Sequence, residues 1–470
     1  MNETLPSRPA GGAPANSWEQ KGVRYSRRII AAALICMVTL ISGPAAAQDR
    51  GLALVRDAEI EHILSIYAKP LFQAANLQAG AVKVYLVHDD TINAFVAGGQ
   101  RIFVFTGLIL RTRSPGELIG VMAHETGHIR GGHLSRTRDA IANSQTIAIL
   151  ATLLGGIAAA ASGEGNAAGA GILGGQGAGQ QMFLSYSRTQ ESAADQAAID
   201  LMERAGWSPR GLMTFMEVLD QEELMMGLRG NPYMRSHPLG YERIQAVEHM
   251  VRNSPIVDKP YPPELVHAHE MIKAKLFGFT KPPAETFREF PVSDNSDPAH
   301  YARTVALMRQ ARTAEALAEL QPLLEAEPDN PYFHELRGQI LLEGGRVEES
   351  LPPLRRAAEA TGHGAIKVML GQALLARKLE TTDAEAVEML EGLVREDPEF
   401  PGAWQQLAVA YGRQGEIGKS MLASAEQYYH SGQPKYAREQ IDRALRTLKP
   451  GTPEHFRAQD LDNAIRALNG

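Results

Sequence analysis

From about residue 300 onward, small and apolar residues return at an interval of roughly 34 positions, and this interval dictates how that part of the chain can fold. Ala316, Leu320, Leu323 and Pro328 come back as Ser350, Leu354 and Ala357, then as Ala386, Leu390, Leu393 and Pro398. The stretch before each later set carries Gly338-x-x-Leu341, Gly371-x-x-Leu374 and Trp404-x-x-Leu407-Ala408-x-x-Tyr411. Spacings of three and four put these residues on one helical face. Gly345 and Gly415 stand where two such helices turn. A lone helix pair cannot bury its apolar side, so copies stack and share a core, which predicts an α-solenoid over residues 300–470. Gly432 follows Gly415 by a single helix length, so one helix there serves two neighbours.

The pattern resembles the tetratricopeptide repeat, which implies a groove for a protein partner. At 470 residues the chain is too long for one ordinary core, and a second domain is expected upstream. Between them, residues 254–299 are punctuated by Pro255, Pro260, Pro262, Pro263, Pro282, Pro283 and Pro298 and read as a linker interrupted by a helix over about 263–277. A net charge of -7 without a Lys/Arg block excludes nucleic acid as the main partner.

The first residues read as an export signal. Lys21, Arg24, Arg27 and Arg28 precede an apolar run from Ile29 to Ser42, then Ala45-Ala46-Ala47. The run is short for a membrane span, so cleavage near Gln48 is expected and residues 1–47 are assigned to a signal peptide. Cys36, the only cysteine, leaves with it, and the mature chain must hold its fold without disulfides.

The domain between, residues 48–253, carries the chemistry. Ser114-Pro115-Gly116-Glu117 is a helix start in which Ser114 caps and Glu117 closes a capping box. The helix continues into His124-Glu125-Thr126-Gly127-His128. Histidines four apart lie on one face and reach a single tetrahedral Zn2+. Glu125 stands beside the metal, where it can take a proton from the attacking water and later return one to the leaving amine. A third ligand is needed. His133 falls one residue short of the H-E-x-x-H-x-x-G-x-x-H spacing and reads as a helix-end residue or a support for a ligand. Glu191 and Asp195 share a face of a second helix running to Gly206, so one could bind zinc while the other orients a histidine. Taken alone, that pair also fits a solvated helix face.

These residues, with Asn93-Ala94-Phe95-Val96-Ala97-Gly98-Gly99, Thr106-Gly107-Leu108 and Ser236-His237-Pro238 followed by Arg243, resemble the HtpX / CAAX prenyl protease family of zinc peptidases, within the glutamate-zincins. The likeness covers roughly residues 50–250 and, with the repeat tail, points to the family's periplasmic branch. It implies a mainly α fold: a zincin-type peptidase domain of helices with a small β-sheet, followed by the repeat solenoid. It implies Glu191 as third ligand, Asp195 as its supporting partner, Arg243 nearby, and one zinc per chain. It also implies a histidine, His237, close to the metal and able to silence the site; the plainer reading is a loop histidine that locks the domain. Asn93, Ala94 and Phe95 are candidates for holding a substrate strand; the strand Gln100–Thr106 could pair with substrate as an edge, and the plainer reading is an ordinary buried strand.

Residues 146–180 are apolar and then glycine-rich. A buried hairpin, a membrane-surface contact and a mobile lid all fit, and a hairpin touching membrane or partner is favoured. The expected function is an endopeptidase acting on misfolded or stalled envelope proteins in the periplasm, in reach of the outer-membrane assembly machinery. The rival is an assembly adaptor whose peptidase is largely silent.

Overall fold

The computed structural model describes residues 53–78, 80–133, 188–226 and 232–467. The signal read at 1–47, with Cys36, and the apolar stretch 146–180 lie outside the described residues.

A four-stranded sheet opens the described chain. Its strands are β1 (Leu54–Val55), β2 (Lys83–Val87), β3 (Ala94–Ala97) and β4 (Arg101–Phe105), in the order β1-β2-β4-β3. β2 and β4 run parallel, while β3 returns on β4 as a hairpin whose turn uses Gly98 (φ 58°) and Gly99 (φ 97°). The strand expected at the edge, Gln100–Thr106, is therefore internal: β4 is hydrogen-bonded on both sides. Its continuous β-branched and aromatic run is the mark of a strand buried on both faces. The edge falls to β3, which carries Ala94 and Phe95.

Helix α1 (Ala58–Ala74), α2 (Thr106–Arg111) and α3 (Pro115–Arg130) pack on one face of the sheet, with α4 (Arg188–Arg204) and α5 (Arg210–Met226) beyond. Ser114 is the N-cap of α3 by backbone, but its side chain makes no capping bond. The Glu117 carboxylate instead accepts from the backbone N–H of Arg113 at 2.6 Å and from its Nε at 3.0 Å. The expected capping box is thus shifted by one residue, with Arg113 in place of Ser114 donating to Glu117. Short α6 (Pro232–Ser236) and α7 (Tyr241–Arg252) complete this domain.

The proline-rich stretch that follows is more structured than its punctuation suggests. It forms α8 (Pro263–Thr280) and α9 (Pro283–Glu289). On α8, Leu265, Ile272 and Leu276 join the core of the first domain, while Met271 joins the first repeat core. Helix pairs then stack: α10 (Asp297–Arg309) with α11 (Thr313–Ala326), α12 (Pro331–Glu343) with α13 (Val347–Thr361), and α14 (Gly364–Ala376) with α15 (Glu380–Glu396). They continue as α16 (Pro401–Arg413), α17 (Ile417–His430), α18 (Pro434–Thr447) and α19 (Pro453–Ala467). Gly345, Gly415 and Gly432 take positive φ at the turns, and α17 is the helix shared between the last two.

The repeats grip the first domain through the opening turn of α1. Glu59 accepts from Tyr301 of α10, His62 lies against Tyr332 of α12, and Glu61 meets His363 at the cap of α14. Arg56 lies over the Phe400 ring at the cap of α16 and pairs with Asp397. The surface that these repeats offer a partner is therefore partly filled by the chain itself. No helix among the described residues is long and apolar enough to cross a membrane.

Candidate metal centre

The centre is set by how closely α4 approaches α3. Gly127 makes that approach possible, since a Cβ there would lie 2.8 Å from the carbonyl oxygen of Ala194. Gly120 does the same against Leu212 of α5. These glycines lie on one face of the helix that carries His124, Glu125 and His128, all of them buried. This packing stripe is legible in the sequence once the helix is assigned, but the sequence reading did not pick it out.

Four side chains converge there: His124, His128, Glu191 and His237 each offer a ligand atom, all within 4.8 Å of one another. His124 Nε2 lies 3.0 Å from His128 Nε2, and both are 3.4 Å from a Glu191 oxygen. His237 Nδ1 lies 3.1 Å from Glu191 Oε1 and 3.4 Å from His124 Nε2. Ligands held about 2.0–2.1 Å from a tetrahedral zinc stand about 3.3 Å apart, so these donors trace the edges of the right tetrahedron. Glu125 points at the same space. Among the described residues neither carboxylate oxygen accepts a hydrogen bond, and His237 Nε2 lies 3.4 Å from Oε1. An orphaned buried carboxylate beside a nitrogen-rich donor set fits a zinc ion with a proton-accepting group next to it.

The supporting residues hold this geometry. His124 Nδ1 lies 2.9 Å from Asp195 Oδ1, which fixes the ring with Nε2 toward the centre. Arg243 bridges Asp195 through Nε and Nη2, reaches Glu191 Oε2 at 2.8 Å, and donates to the carbonyl oxygens of His237 and Pro238. His133, read as a helix-end or supporting residue, is buried with its Nδ1 2.9 Å from His128 Nδ1. Tyr233, which the sequence gave no reason to single out, lies tilted against His237 with ring centres 4.7 Å apart. Asn93 sits just before β3 with its Oδ1 buried and unpartnered among the described residues.

Two carboxylates a few ångströms apart are driven in opposite directions. Burial pushes Glu125 up, toward a proton-accepting role. Glu191 is equally buried, but hydrogen bonds from His124, His128 and His237 outweigh that and hold it far below the usual carboxylate range. For His124, burial would lower the pKa, yet the bonds to Asp195 and Glu191 raise it to about 9. Diverging environments of this kind are how one site keeps an anionic ligand and a working base side by side.

Comparison with known proteins agrees with this geometry. The sequence model of peptidase family M48 matches residues 55–251, and that of the tetratricopeptide repeat matches residues 301–365. Metalloprotease LoiP of Escherichia coli is 30% identical over 39% of this chain and 70% of its own length. The chain belongs to peptidase family M48. Over most of its length it is similar to the beta-barrel assembly-enhancing protease of Escherichia coli, at 26% identity over 90% of this chain and 86% of that protein. The Yersinia pestis protein of the same name is 24% identical over 88% and 85%. This M48 protein is a zinc metallopeptidase with a repeat domain for protein contact.

Proposed function

We propose that the chain is a periplasmic endopeptidase that cuts misfolded or stalled outer-membrane proteins, with zinc held by His124, His128 and Glu191. The converging donor tetrahedron beside the orphaned Glu125 carboxylate carries this reading. The substrate class rests on likeness to relatives named for enhancing β-barrel assembly. In this reading residues 1–47 are the signal, 48–253 the peptidase domain, 254–299 the connector and 300–470 the repeats.

Zinc, when bound, supplies Lewis acidity to water and to the scissile carbonyl. Glu125 takes the proton of the attacking water and passes one to the departing amine, its raised affinity for protons suiting both steps. Asp195 orients His124, and Arg243 keeps Asp195 and Glu191 in place. The edge strand β3 lies against α3, and pairing with it gives sequence-tolerant capture of an extended backbone. Asn93 Oδ1 adds an unused acceptor at its start. Partner contact falls to the later repeats, where Val409, Tyr436 and Phe456 are exposed, because α1 occupies the earlier ones.

His237 supports a resting state. Its Nδ1 takes the fourth corner of the donor set, the place an attacking water needs. Substrate entry then requires His237 to leave. The same observation favours the rival, an assembly adaptor with a silent peptidase.

One experiment separates them: zinc content and cleavage of a reduced, unfolded protein by wild type, Glu125→Gln, Glu191→Ala and His237→Ala forms. The peptidase reading expects one zinc per chain, weakened in Glu191→Ala, with cleavage lost in Glu125→Gln and raised in His237→Ala. Zinc without any Glu125-dependent cleavage, even in His237→Ala, assigns the protein to the adaptor class.

A further inference from the structure

Beside the donor set lies a narrow apolar crevice between α5 and the short α6, which His237 follows. Leu212, Phe215, Met216 and Leu219 form one wall, spaced three and four apart on a single face of α5. His124 and Arg243 border its inner end, so the crevice opens onto the reacting centre. The opposite wall is Tyr233. Its ring lies tilted against the His237 imidazole at 4.7 Å, meets Phe215 edge-on at 5.8 Å, and is only 4% exposed. No substrate side chain fits while that ring is in place.

Tyr233 and His237 are also one mechanical unit. They are four residues apart, and the backbone N–H of His237 donates to the Tyr233 carbonyl at 2.8 Å. Ser236 Oγ donates to the same carbonyl at 3.0 Å. A turn tied this way carries both rings when it shifts, so displacing the segment draws His237 from the donor set and Tyr233 from the crevice together.

We propose that this crevice receives a large apolar or aromatic substrate side chain next to the bond being cut, and that Tyr233 fills it until substrate displaces Tyr233 and His237 together. The proposal deepens the peptidase reading and rests on it. An aromatic ring that already fits between Phe215 and His237 shows the size and polarity the crevice accepts. An acidic side chain would lose its hydration against the four apolar residues of α5, and Arg243 at the inner end is already held by Asp195 and Glu191. Opening the site thus demands an exposed apolar side chain. Such a chain is plentiful in an unfolded protein and scarce on a folded one, so selectivity for unfolded substrates arises at the centre itself.

The test uses the purified, zinc-loaded protein and its His237→Ala form. Mass spectrometry of the products from a reduced, unfolded protein locates the cut bonds. A peptide series then varies the residue on either side of one cut bond among Ala, Leu, Phe and Asp. The expected result is kcat/KM about tenfold or more above Ala for Leu or Phe at one of the two positions, with Asp uncut. Met216→Phe, which fills the crevice, lowers the Phe-to-Ala ratio. Leu219→Ala, which enlarges it, shifts preference from Leu toward Phe and provides a second route should the first variant misfold. Tyr233→Ala narrows the ratio in the wild-type background and has less effect in His237→Ala, because the two act together. Zinc stoichiometry and thermal unfolding accompany each variant. Glu125-dependent cleavage with ratios indifferent to Met216, Leu219 and Tyr233 overturns this proposal alone. Absence of cleavage in every form overturns it together with the peptidase reading.

Discussion

Asp195 acts through its neighbours. Its carboxylate spans His124 Nδ1 at 2.9 Å and two nitrogens of Arg243. Burial would raise its pKa, but the bonds from Arg243 and His124 hold it below the usual carboxylate range, so it stays ionised in a closed site. That charge keeps a proton on Nδ1 of His124 and the lone pair of Nε2 directed at the centre. Replacing it frees the imidazole to rotate and leaves Arg243 facing Glu191 alone. Asp195→Ala is therefore expected to weaken zinc binding about 10–100-fold, with the fold intact. Competition against a chelator, read beside circular dichroism, measures it; unchanged affinity would show that Arg243 and helix packing suffice to orient His124.

At the scale of elements, the distance between α3 and α4 decides whether Glu191 reaches the histidines at all. Gly127 sets that distance, because its missing Cβ leaves room for the backbone of α4 at Ala194. Gly127→Ala forces a separation that neither helix can absorb by a side-chain rotation. The expected cost is about 1–3 kcal/mol of stability, from overpacking, together with loss of stoichiometric zinc. Unfolding temperature and metal analysis check this, and a variant with full zinc content would mean the helices slide rather than part. This contact explains the limits of the sequence reading. His124, Glu125 and His128 were legible because they share one helix, where spacing alone fixes geometry. Glu191 was ambiguous from the residues themselves, since E-x-x-x-D describes a wet helix face as well as a ligand and its support. The packing of α4 on α3 buries Glu191 within 3.4 Å of His124 and His128, which supports the first reading. The edge strand was misplaced for a related reason: sheet order is a long-range property, and a β-branched run such as 101–105 does not reveal how many neighbours it has. Tyr233 gave no signal, as its position matters only once His237 is known to face the centre.

For the whole molecule, the decisive contact is the buried charge cluster where the peptidase domain meets the repeats. Lys275 of α8 lies 2.8 Å from Asp57 and 3.1 Å from Glu59, and Tyr301 of α10 donates to Glu59. Glu335 of α12 is buried against the same group, with Oε2 unpartnered among the described residues. Glu61 is nearby but committed to Arg56 and His363. Three carboxylates around one lysine cannot all ionise cheaply. Burial pushes Glu335 up to about 8, against the pull of Lys275 and with the repulsion of Asp57 and Glu59. A carboxyl whose pKa is raised on folding contributes stability that is complete below its unfolded value, about 4.5, and is lost as pH rises through about 8. The folded state binds the extra proton across that window, so stability falls with rising pH there. Glu335→Gln keeps the shape and removes the titration. The wild type is expected to lose thermal stability between about pH 5 and about pH 8.5, with the variant's curve flatter and crossing it on the alkaline side. Hydrogen exchange should place the loss first at α1 and α12, where the domains meet. Parallel melting curves for the two proteins would mean that Glu335 is ionised in the folded state and that Lys275 holds all three carboxylates. The junction would then be held by charge across that window, and the repeats could not loosen from the peptidase domain by this route.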